Sequence, residues 1–73
     1  MTQKLPQFTA REVIAILRRH GFEIDRQSGS HAILIHKSGR RVTVPVHSGR
    51  TIGKGLLRSI MNDAGLTPED LTA

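Results

Sequence analysis

Two Ser-Gly pairs divide the middle of this chain into three short runs, each with apolar side chains at alternating or successive positions. The runs are Phe22 to Gln27, His31 to Lys37 and Arg40 to Val46, separated by Ser28-Gly29 and Ser38-Gly39. Runs with period-two alternation, or rich in Ile and Val, are typical of β-strands, and a Gly-containing pair between two of them is typical of a tight hairpin turn. Strands joined by such short turns pair antiparallel with their neighbours in sequence. The sequence therefore predicts a three-stranded antiparallel meander.

The positions of the turns also predict which side chains share a face of the sheet. If each hairpin loop has two residues, Ile33 lies opposite Ile24 and Val44. His31 then lies opposite Arg26, at the end of the face that the helices cover. The apolar side chains that both hairpins place on this covered face are Phe22, Ile24, Ile33, Ile35, Val42 and Val44. One extra residue in a loop would reverse the arrangement, because neighbouring side chains of a strand point to opposite faces.

The first flanking helix has start and stop signals. Thr9 and Glu12 have the spacing of a capping box, in which each side chain bonds to the backbone of the other residue. Phe8 and Val13 occupy the two positions of a hydrophobic staple. Gly21 is suited to the left-handed conformation that ends many helices. A helix is therefore predicted between Thr9 and Gly21.

A second helix is predicted from about residue 52 to residue 64, with Gly65 as its end. Ile52, Leu56 and Ile60 repeat every four residues and form the expected packing stripe. Thr67 and Pro68 then predict one further helical turn. With the meander, these elements give an α+β fold of order α-β-β-β-α, with two helices on one face of the sheet. We expect one domain over residues 1–73, with residues 1–7 as a flexible lead-in.

The charge distribution predicts a polyanionic partner. The 73-residue chain has a net charge of +5 and a pI near 11.2. No acidic residue occurs between positions 26 and 62, whereas seven of the eleven basic residues do: Arg26, Lys37, Arg40, Arg41, Arg50, Lys54 and Arg58. A basic block of this kind attracts nucleic-acid phosphates and displaces their counterions. Only two Phe and no Tyr or Trp are present, so base stacking on aromatic side chains is disfavoured relative to backbone recognition.

Composition excludes several classes of protein. Without cysteine there is no disulfide framework, zinc-thiolate site or thiol nucleophile. No apolar run approaches the ~18 residues that a membrane span needs, and the first eight residues lack the apolar core of a signal peptide. The expected location is therefore the cytoplasm, without membrane association.

His31 is the main candidate for catalysis. It follows a Gly turn at the start of a strand, next to Arg26 and within the basic block, and an imidazole exchanges protons near neutral pH. The structural alternative is a histidine that only packs or faces solvent. In RNA the 2′-OH can attack the adjacent phosphorus, so cleavage requires a base for that proton, a cation for the developing charge and an acid for the leaving oxygen. This chemistry requires no metal and no cofactor.

The other histidines have weaker support. His47 follows the third strand and is the candidate for an auxiliary acid or base, with a loop or helix-capping role as the alternative. His36 lies on the face opposite His31 and is expected to be solvent-exposed. A zinc site from His31, His36 and His47 would need side chains from both faces of the sheet, so no metal site is expected. The glycine-rich stretch from Gly49 to Gly55 departs from the P-loop spacing but leaves an anion site at a helix start, with Arg50 and Lys54.

Several of these motifs together resemble a known family. Gly29-Ser30-His31 before an apolar strand, the run from Ser38 to His47, and Gly55 to Ile60 leading to Ala64-Gly65-Leu66-Thr67 are similar to the HicA (YcfA-like) mRNA interferase toxins. The resemblance implies a fold like a double-stranded RNA-binding domain. It also implies metal-independent cleavage of mRNA, inhibited by a HicB-type antitoxin. The family's essential histidine corresponds to His31 and its adjoining glycine to Gly29.

One departure from the family concerns the residue after His31. Many members have a second histidine there, whereas this chain has Ala32. Any role of that second histidine is therefore lost or taken over by another residue, for which His47 is the candidate.

The resulting hypothesis is a toxin endoribonuclease of a toxin–antitoxin system in which His31 transfers protons. The remaining candidates for substrate binding are Arg26, Gly29, Ser30, Lys37, Arg41, Arg50 and Lys54. The alternative is a non-catalytic RNA-binding or regulatory module of the same fold, for which His31 would be dispensable.

Overall fold

The computed structural model describes residues 7–47 and 50–72. In chain order the elements are β1 (Phe8–Thr9), α1 (Ala10–Arg19), β2 (Phe22–Ser28), β3 (His31–His36), β4 (Arg41–Pro45), β5 (Thr51–Ile52), α2 (Lys54–Ala64) and α3 (Pro68–Thr72). Strands β2, β3 and β4 form an antiparallel sheet in sequence order, and β1 pairs with β5. Helix α1 contacts β2 and β4, and α2 contacts β4. The predicted α+β meander with helices on one face is confirmed, and the lead-in expected at residues 1–7 lies outside the described residues except for Gln7.

Helix α1 begins and ends as its sequence signals predict. The backbone N–H of Thr9 donates to Glu12 Oε1 at 2.9 Å, and the N–H of Glu12 donates to Thr9 Oγ1 at 3.2 Å. Phe8 packs against the core in which Val13 is buried, as a hydrophobic staple requires. Gly21 follows the C-cap with φ +94°. An ideal Cβ at Gly21 would lie only 2.9 Å from His36 Nε2. The imidazole of His36 therefore leaves no room for a larger residue at position 21.

Helix α2 begins later than predicted, and its packing face includes only part of the predicted stripe. Ile52 belongs to β5, where it pairs with Phe8, and Gly53 is the N-cap without a side-chain hydrogen bond. The buried side chains of α2 are Leu57, Ile60, Met61 and Ala64. Leu56, predicted to pack, is 41% exposed. The predicted stripe is therefore wrong at Leu56, whereas Ile52 and Ile60 are buried as predicted, Ile52 from β5 rather than from the helix.

The C-terminal end of α2 is held by an arginine from the β3–β4 turn. Gly65 ends the helix with φ +73°, as predicted. Arg40 Nη1 donates to the carbonyl oxygen of Asp63 at 3.1 Å. A cation in this position satisfies a free carbonyl and complements the helix dipole. Arg40 thus serves the fold, although it belongs to the basic block.

The short helix α3 is fixed by a second capping arrangement. The backbone N–H of Thr67 donates to Asp70 Oδ2 at 2.7 Å, and its hydroxyl donates to the same oxygen at 3.1 Å. These bonds, the backbone one above all, and the charge of His20 hold the pKa of Asp70 below its ordinary value of 3.8. Leu71 is buried in the core, so the predicted final helical turn is confirmed and is tied to the rest of the fold.

The central strand presents the face opposite to the one predicted. Ala32 and Leu34 are completely buried, whereas Ile33 and Ile35 are only half-buried and lie on the open face of the sheet with His31. Phe22, Val42 and Val44 do lie in the core, as predicted. The predicted placement of Ile33 and Ile35 in the core, and of His31 on the helix-covered face, is wrong.

One additional residue in each hairpin explains this reversal. In the first hairpin Ile24 pairs with Leu34 and Arg26 with Ile33, so a bulge at Asp25 shifts the register. In the second hairpin the N–H of His36 donates to the oxygen of Arg40 at 2.9 Å, which leaves three residues in the loop. Gly39, the last of these three, has φ +97°. Each extra residue changes which side chains face each other across the strands.

The edge of the sheet at β2 extends beyond the helices. Only Phe22 is buried in this strand, and the side chains from Glu23 to Ser28 are exposed. Ile24, predicted to lie in the core, is 43% exposed. Ile24 lies on the same face of the sheet as the buried Leu34, as predicted, but no helix covers that face at this position.

Candidate functional site

His31 lies at the first position of β3 with its side chain exposed on the open face of the sheet. It is opposite Ser28 on β2 and Pro45 on β4. Ser30 Oγ lies 3.5 Å from His31 Nδ1. The imidazole is therefore accessible to a ligand approaching the open face, from which the helices are absent.

The turn that precedes His31 consists of Gly29 and Ser30, because Ser28 is still in the sheet. The first position of such a two-residue loop favours positive φ, and Gly29 has φ +56°. An ideal Cβ on Gly29 would have no neighbour within 4 Å. The glycine is thus required for the backbone conformation, and the space next to it is open to a ligand.

Ser28 is a neighbour of His31 that the predicted turn does not reveal. The predicted turn, Ser28-Gly29, lies one residue too early and puts Ser28 in the loop. The pairing Ser28–His31 instead makes its hydroxyl a cross-strand neighbour of the imidazole, since directly opposite side chains lie on one face. The signal that was available is the preference for glycine at the first loop position of a two-residue turn.

Arg26 lies on the same face as His31 but not directly opposite it. It pairs with Ile33, two positions beyond the pair that contains His31. Diagonal neighbours of this kind are ~7–8 Å apart, a distance that an arginine side chain can span. The predicted direct pairing of Arg26 with His31 is wrong, but the register places both residues on the open face.

The segment after β4 lies at the same end of the sheet as His31. The N–H of Val46 donates to the oxygen of Ser30, which continues the β3–β4 pairing past Pro45. His47 follows with an exposed side chain, and the N–H of Arg50 donates to its carbonyl oxygen at 3.1 Å. This end of the sheet therefore carries two histidines and two arginines, Arg26 and Arg50.

Two of the predicted phosphate contacts lie at the other end of the sheet. Lys37 is in the β3–β4 turn, six residues from His31, which corresponds to ~20 Å along a strand. Arg41 shares the open face with His31 but pairs with Ile35, towards the same distant turn. Lys54 is the first residue of α2 and is exposed. Lys37 and Arg41 are thus separated from the end of the sheet that carries His31, Arg26 and Arg50.

His36 is not the solvent-exposed residue that was predicted. Its ring is half-buried, with its centroid 5.0 Å from that of Phe22. The backbone N–H of Ser38 donates to His36 Nδ1 at 3.0 Å, which requires a lone pair on Nδ1 and leaves the ring proton on Nε2. The ring thereby supports the β3–β4 turn, on the face of the strand opposite to His31.

Position 32 points away from the site. Ala32 is completely buried, and it pairs with Gln27 and Val44 on the helix-covered side. A side chain at this position cannot share the open face with His31, because adjacent residues of a strand alternate. The missing second histidine therefore removes no group from the open face of this chain.

Residues 7–47 and 50–72 were compared with the requirements of a metal site and of a membrane-spanning helix. Within these ranges no three His, Asp or Glu side chains are arranged to hold a metal ion. None of the helices described there is long and apolar enough to cross a membrane.

Comparison with known proteins identifies the family. The model of the HicA toxin of bacterial toxin–antitoxin systems matches residues 10–66, a segment that runs from the start of α1 to just beyond the end of α2. No curated protein sequence gives a significant match. The family match spans most of the 73 residues and includes the whole sheet with the His31 turn. The chain therefore belongs to the HicA family of toxins from bacterial toxin–antitoxin systems.

Proposed function

We propose that this protein is a toxin endoribonuclease that cleaves mRNA with His31 as the group that transfers protons. The observation that carries the proposal is the exposed imidazole of His31 at a glycine turn on the open face of the sheet. Arg26 lies on the same face, and Arg50 follows the segment that pairs with Ser30. A basic group at an open, cationic edge fits a phosphodiester substrate.

The proposed reaction uses the nucleophile that RNA itself carries. His31 takes the proton from a ribose 2′-OH, and the 2′ oxygen attacks the adjacent phosphorus. The bond from phosphorus to the 5′ oxygen of the next nucleotide breaks, and that oxygen receives a proton. The products are a 2′,3′-cyclic phosphate and a 5′-hydroxyl. His47 is the proposed source of the second proton, and a cationic side chain stabilises the charge that develops on the phosphoryl oxygens.

The remaining candidates have separate roles in this proposal. Gly29 and Ser30 form the turn that presents His31, and the open space next to Gly29 admits the substrate backbone. Arg26, Arg50 and Lys54 bind the phosphates nearest to the reaction. Lys37 and Arg41 bind phosphates further along a longer RNA, because they lie towards the other end of the sheet.

Family membership also supports the regulatory setting. A HicA toxin implies a HicB-type antitoxin as its partner. We propose that the toxin acts on mRNA in the cytoplasm, where the antitoxin restrains it. The reaction needs neither a metal nor an organic cofactor, since the nucleophile belongs to the substrate.

Purified protein incubated with RNA in EDTA tests the proposal. We expect cleavage by the native protein, a loss of at least ~100-fold in kcat for His31→Ala, and no cleavage where the scissile nucleotide is 2′-deoxy. His20→Ala is the matched control, because it removes a histidine from the end of α1 and is expected to retain activity. Equal cleavage by native protein and His31→Ala would overturn the assignment of His31. RNA binding without cleavage by either protein would support the non-catalytic module instead.

A further inference from the structure

We propose that the outward face of α1 is a second RNA-binding surface, separate from the His31 site. It consists of Arg11, Ala15 and Arg18, which we call the α1 stripe. The inference rests on the proposed function only for the identity of the polyanion as RNA. The surface itself follows from exposure, charge and position.

The α1 stripe carries two exposed arginines on one side of the helix. Residues 11, 15 and 18 have the i, i+4, i+7 spacing that places side chains on one side of a helix, and all three are exposed. The two arginines are separated by ~10 Å along the helix axis. Ala15, between them, is small and allows a flat ligand such as a phosphate backbone to contact both guanidinium groups. The buried residues of α1 lie on the other side of the helix: Ala10, Val13, Ile16 and Leu17.

Stability of the helix accounts for only one of the two arginines, because Arg18 in the last turn complements the helix dipole whereas Arg11 does not. Arg11 lies in the first turn of α1, where a positive charge is unfavourable because it opposes the helix dipole. Glu12 is the acid of α1, and its carboxylate is engaged by Thr9 in the capping box. Within the part of the chain that the structure describes, neither Arg11 nor Arg18 has an ion-pair partner. Both guanidinium groups are therefore available to an external anion.

The α1 stripe and the His31 site lie on different sides of the molecule. Helix α1 packs against the covered face of the sheet, and the stripe points away from it. His31 is on the open face. A phosphate bound at His31 and a phosphate bound at the stripe therefore belong to distant parts of a long RNA.

RNA fits the stripe better than a protein partner does. Protein interfaces depend on buried aromatic or aliphatic anchors. Among the described residues the exposed large apolar side chains are Ile24 and Leu56, and neither lies on α1. Arginines without an apolar anchor are typical of contacts to the phosphate backbone, which position a nucleic acid without reading its sequence.

The test measures binding with full-length protein that carries His31→Ala, so that the RNA stays intact. Arg11→Gln with Arg18→Gln is expected to weaken binding of a long RNA about tenfold at low salt. The dependence of log Kd on log salt should become shallower by about 1.5, for two lost phosphate contacts. Arg11→Lys with Arg18→Lys is the matched control, because it keeps both charges and should restore most of the affinity. Thermal unfolding checks that both double variants are folded.

A second measurement separates the two sites. In protein with His31 intact, cleavage of a tetranucleotide should be unchanged by Arg11→Gln with Arg18→Gln, because such a substrate reaches only the His31 site.

Unchanged affinity and salt dependence with long RNA would overturn the inference. Equal losses with tetranucleotide and long RNA would also overturn it, since the stripe would then be part of the reaction site. If poly-glutamate competed for the protein as effectively as RNA does, the inference would also be overturned, because that result would favour an acidic protein as the partner. Absence of cleavage altogether would contradict the proposed function and leave the binding result intact.

Discussion

Arg40 and Asp63 connect the β3–β4 turn to the C-terminal end of α2, with Arg40 Nη1 donating to the Asp63 carbonyl oxygen at 3.1 Å. The two residues are 23 positions apart in sequence. This bond places one cation of the basic block at a helix terminus. Basic residues of this chain therefore divide into those that stabilise the fold and those that remain free for a ligand.

The first prediction concerns this contact. Arg40→Ala should lower the free energy of unfolding by about 1 kcal/mol, because a carbonyl loses its donor and the helix end loses a cation. For a domain of this size that corresponds to a fall in Tm of about 5 °C. Arg41→Ala is the control, since its side chain is exposed on the open face and should change Tm little. Equal effects in thermal unfolding would show that the contact contributes nothing.

A second prediction compares two glycines with nearly the same backbone conformation. Gly21 has φ +94° and Gly39 has φ +97°, so alanine is strained at either position. At Gly39 a Cβ would meet nothing within 4 Å, whereas at Gly21 it would lie 2.9 Å from His36 Nε2. We expect Gly21→Ala to cost about 1 kcal/mol more than Gly39→Ala in urea unfolding. In a His36→Ala background this excess should disappear, and its persistence would place the strain elsewhere.

A third prediction tests the faces of the central strand. Leu34→Ala should destabilise the protein by about 3 kcal/mol, because it empties a fully enclosed position. Ile35→Ala should cost about 1 kcal/mol, since that side chain is half-buried on the open face. If the Leu34→Ala protein did not fold at all, the result would equally show that Leu34 lies on the core face. The reverse order in denaturant unfolding would restore the register first predicted from the sequence.

The fourth prediction is a pH dependence from Asp70. The pKa of its carboxyl is lowered in the folded protein, mainly by the hydrogen bond from the Thr67 backbone. A lowered folded-state pKa adds stability above the unfolded value, and that stability is lost as the pH falls through the folded value. Asp70→Asn should therefore reduce stability at neutral pH, and its difference from the native protein should shrink below about pH 4. Urea unfolding at several pH values measures this difference, and a pH-independent difference would contradict the assignment.

The helix boundaries of this protein could be predicted well because single residues encode them. The capping box of Thr9 and Glu12, and the glycines at 21 and 65, act through local geometry that needs no knowledge of the tertiary structure. The start of α2 is different. Ile52 leaves the helical pattern because Phe8, far away in sequence, pairs with it.

The environment of His31 could be predicted only in part. Its position at the start of a strand after a glycine turn follows from the sequence, but the face on which it lies does not. Residues 32–35 are apolar on both faces, so their pattern fits either register. A bulge at Asp25 and a third loop residue at Lys37 decided the outcome, and neither has a distinctive sequence signature.

The bulge at Asp25 has a further consequence for how copies of this toxin meet one another. Strand β2 is an edge of the sheet, and an uninterrupted edge would be a template for strand exchange and fibre growth. A kinked backbone flanked by charged side chains cannot continue a regular ladder into a neighbouring molecule. The same irregularity thus also makes the β2 edge a poor template for pairing with a second copy of the chain.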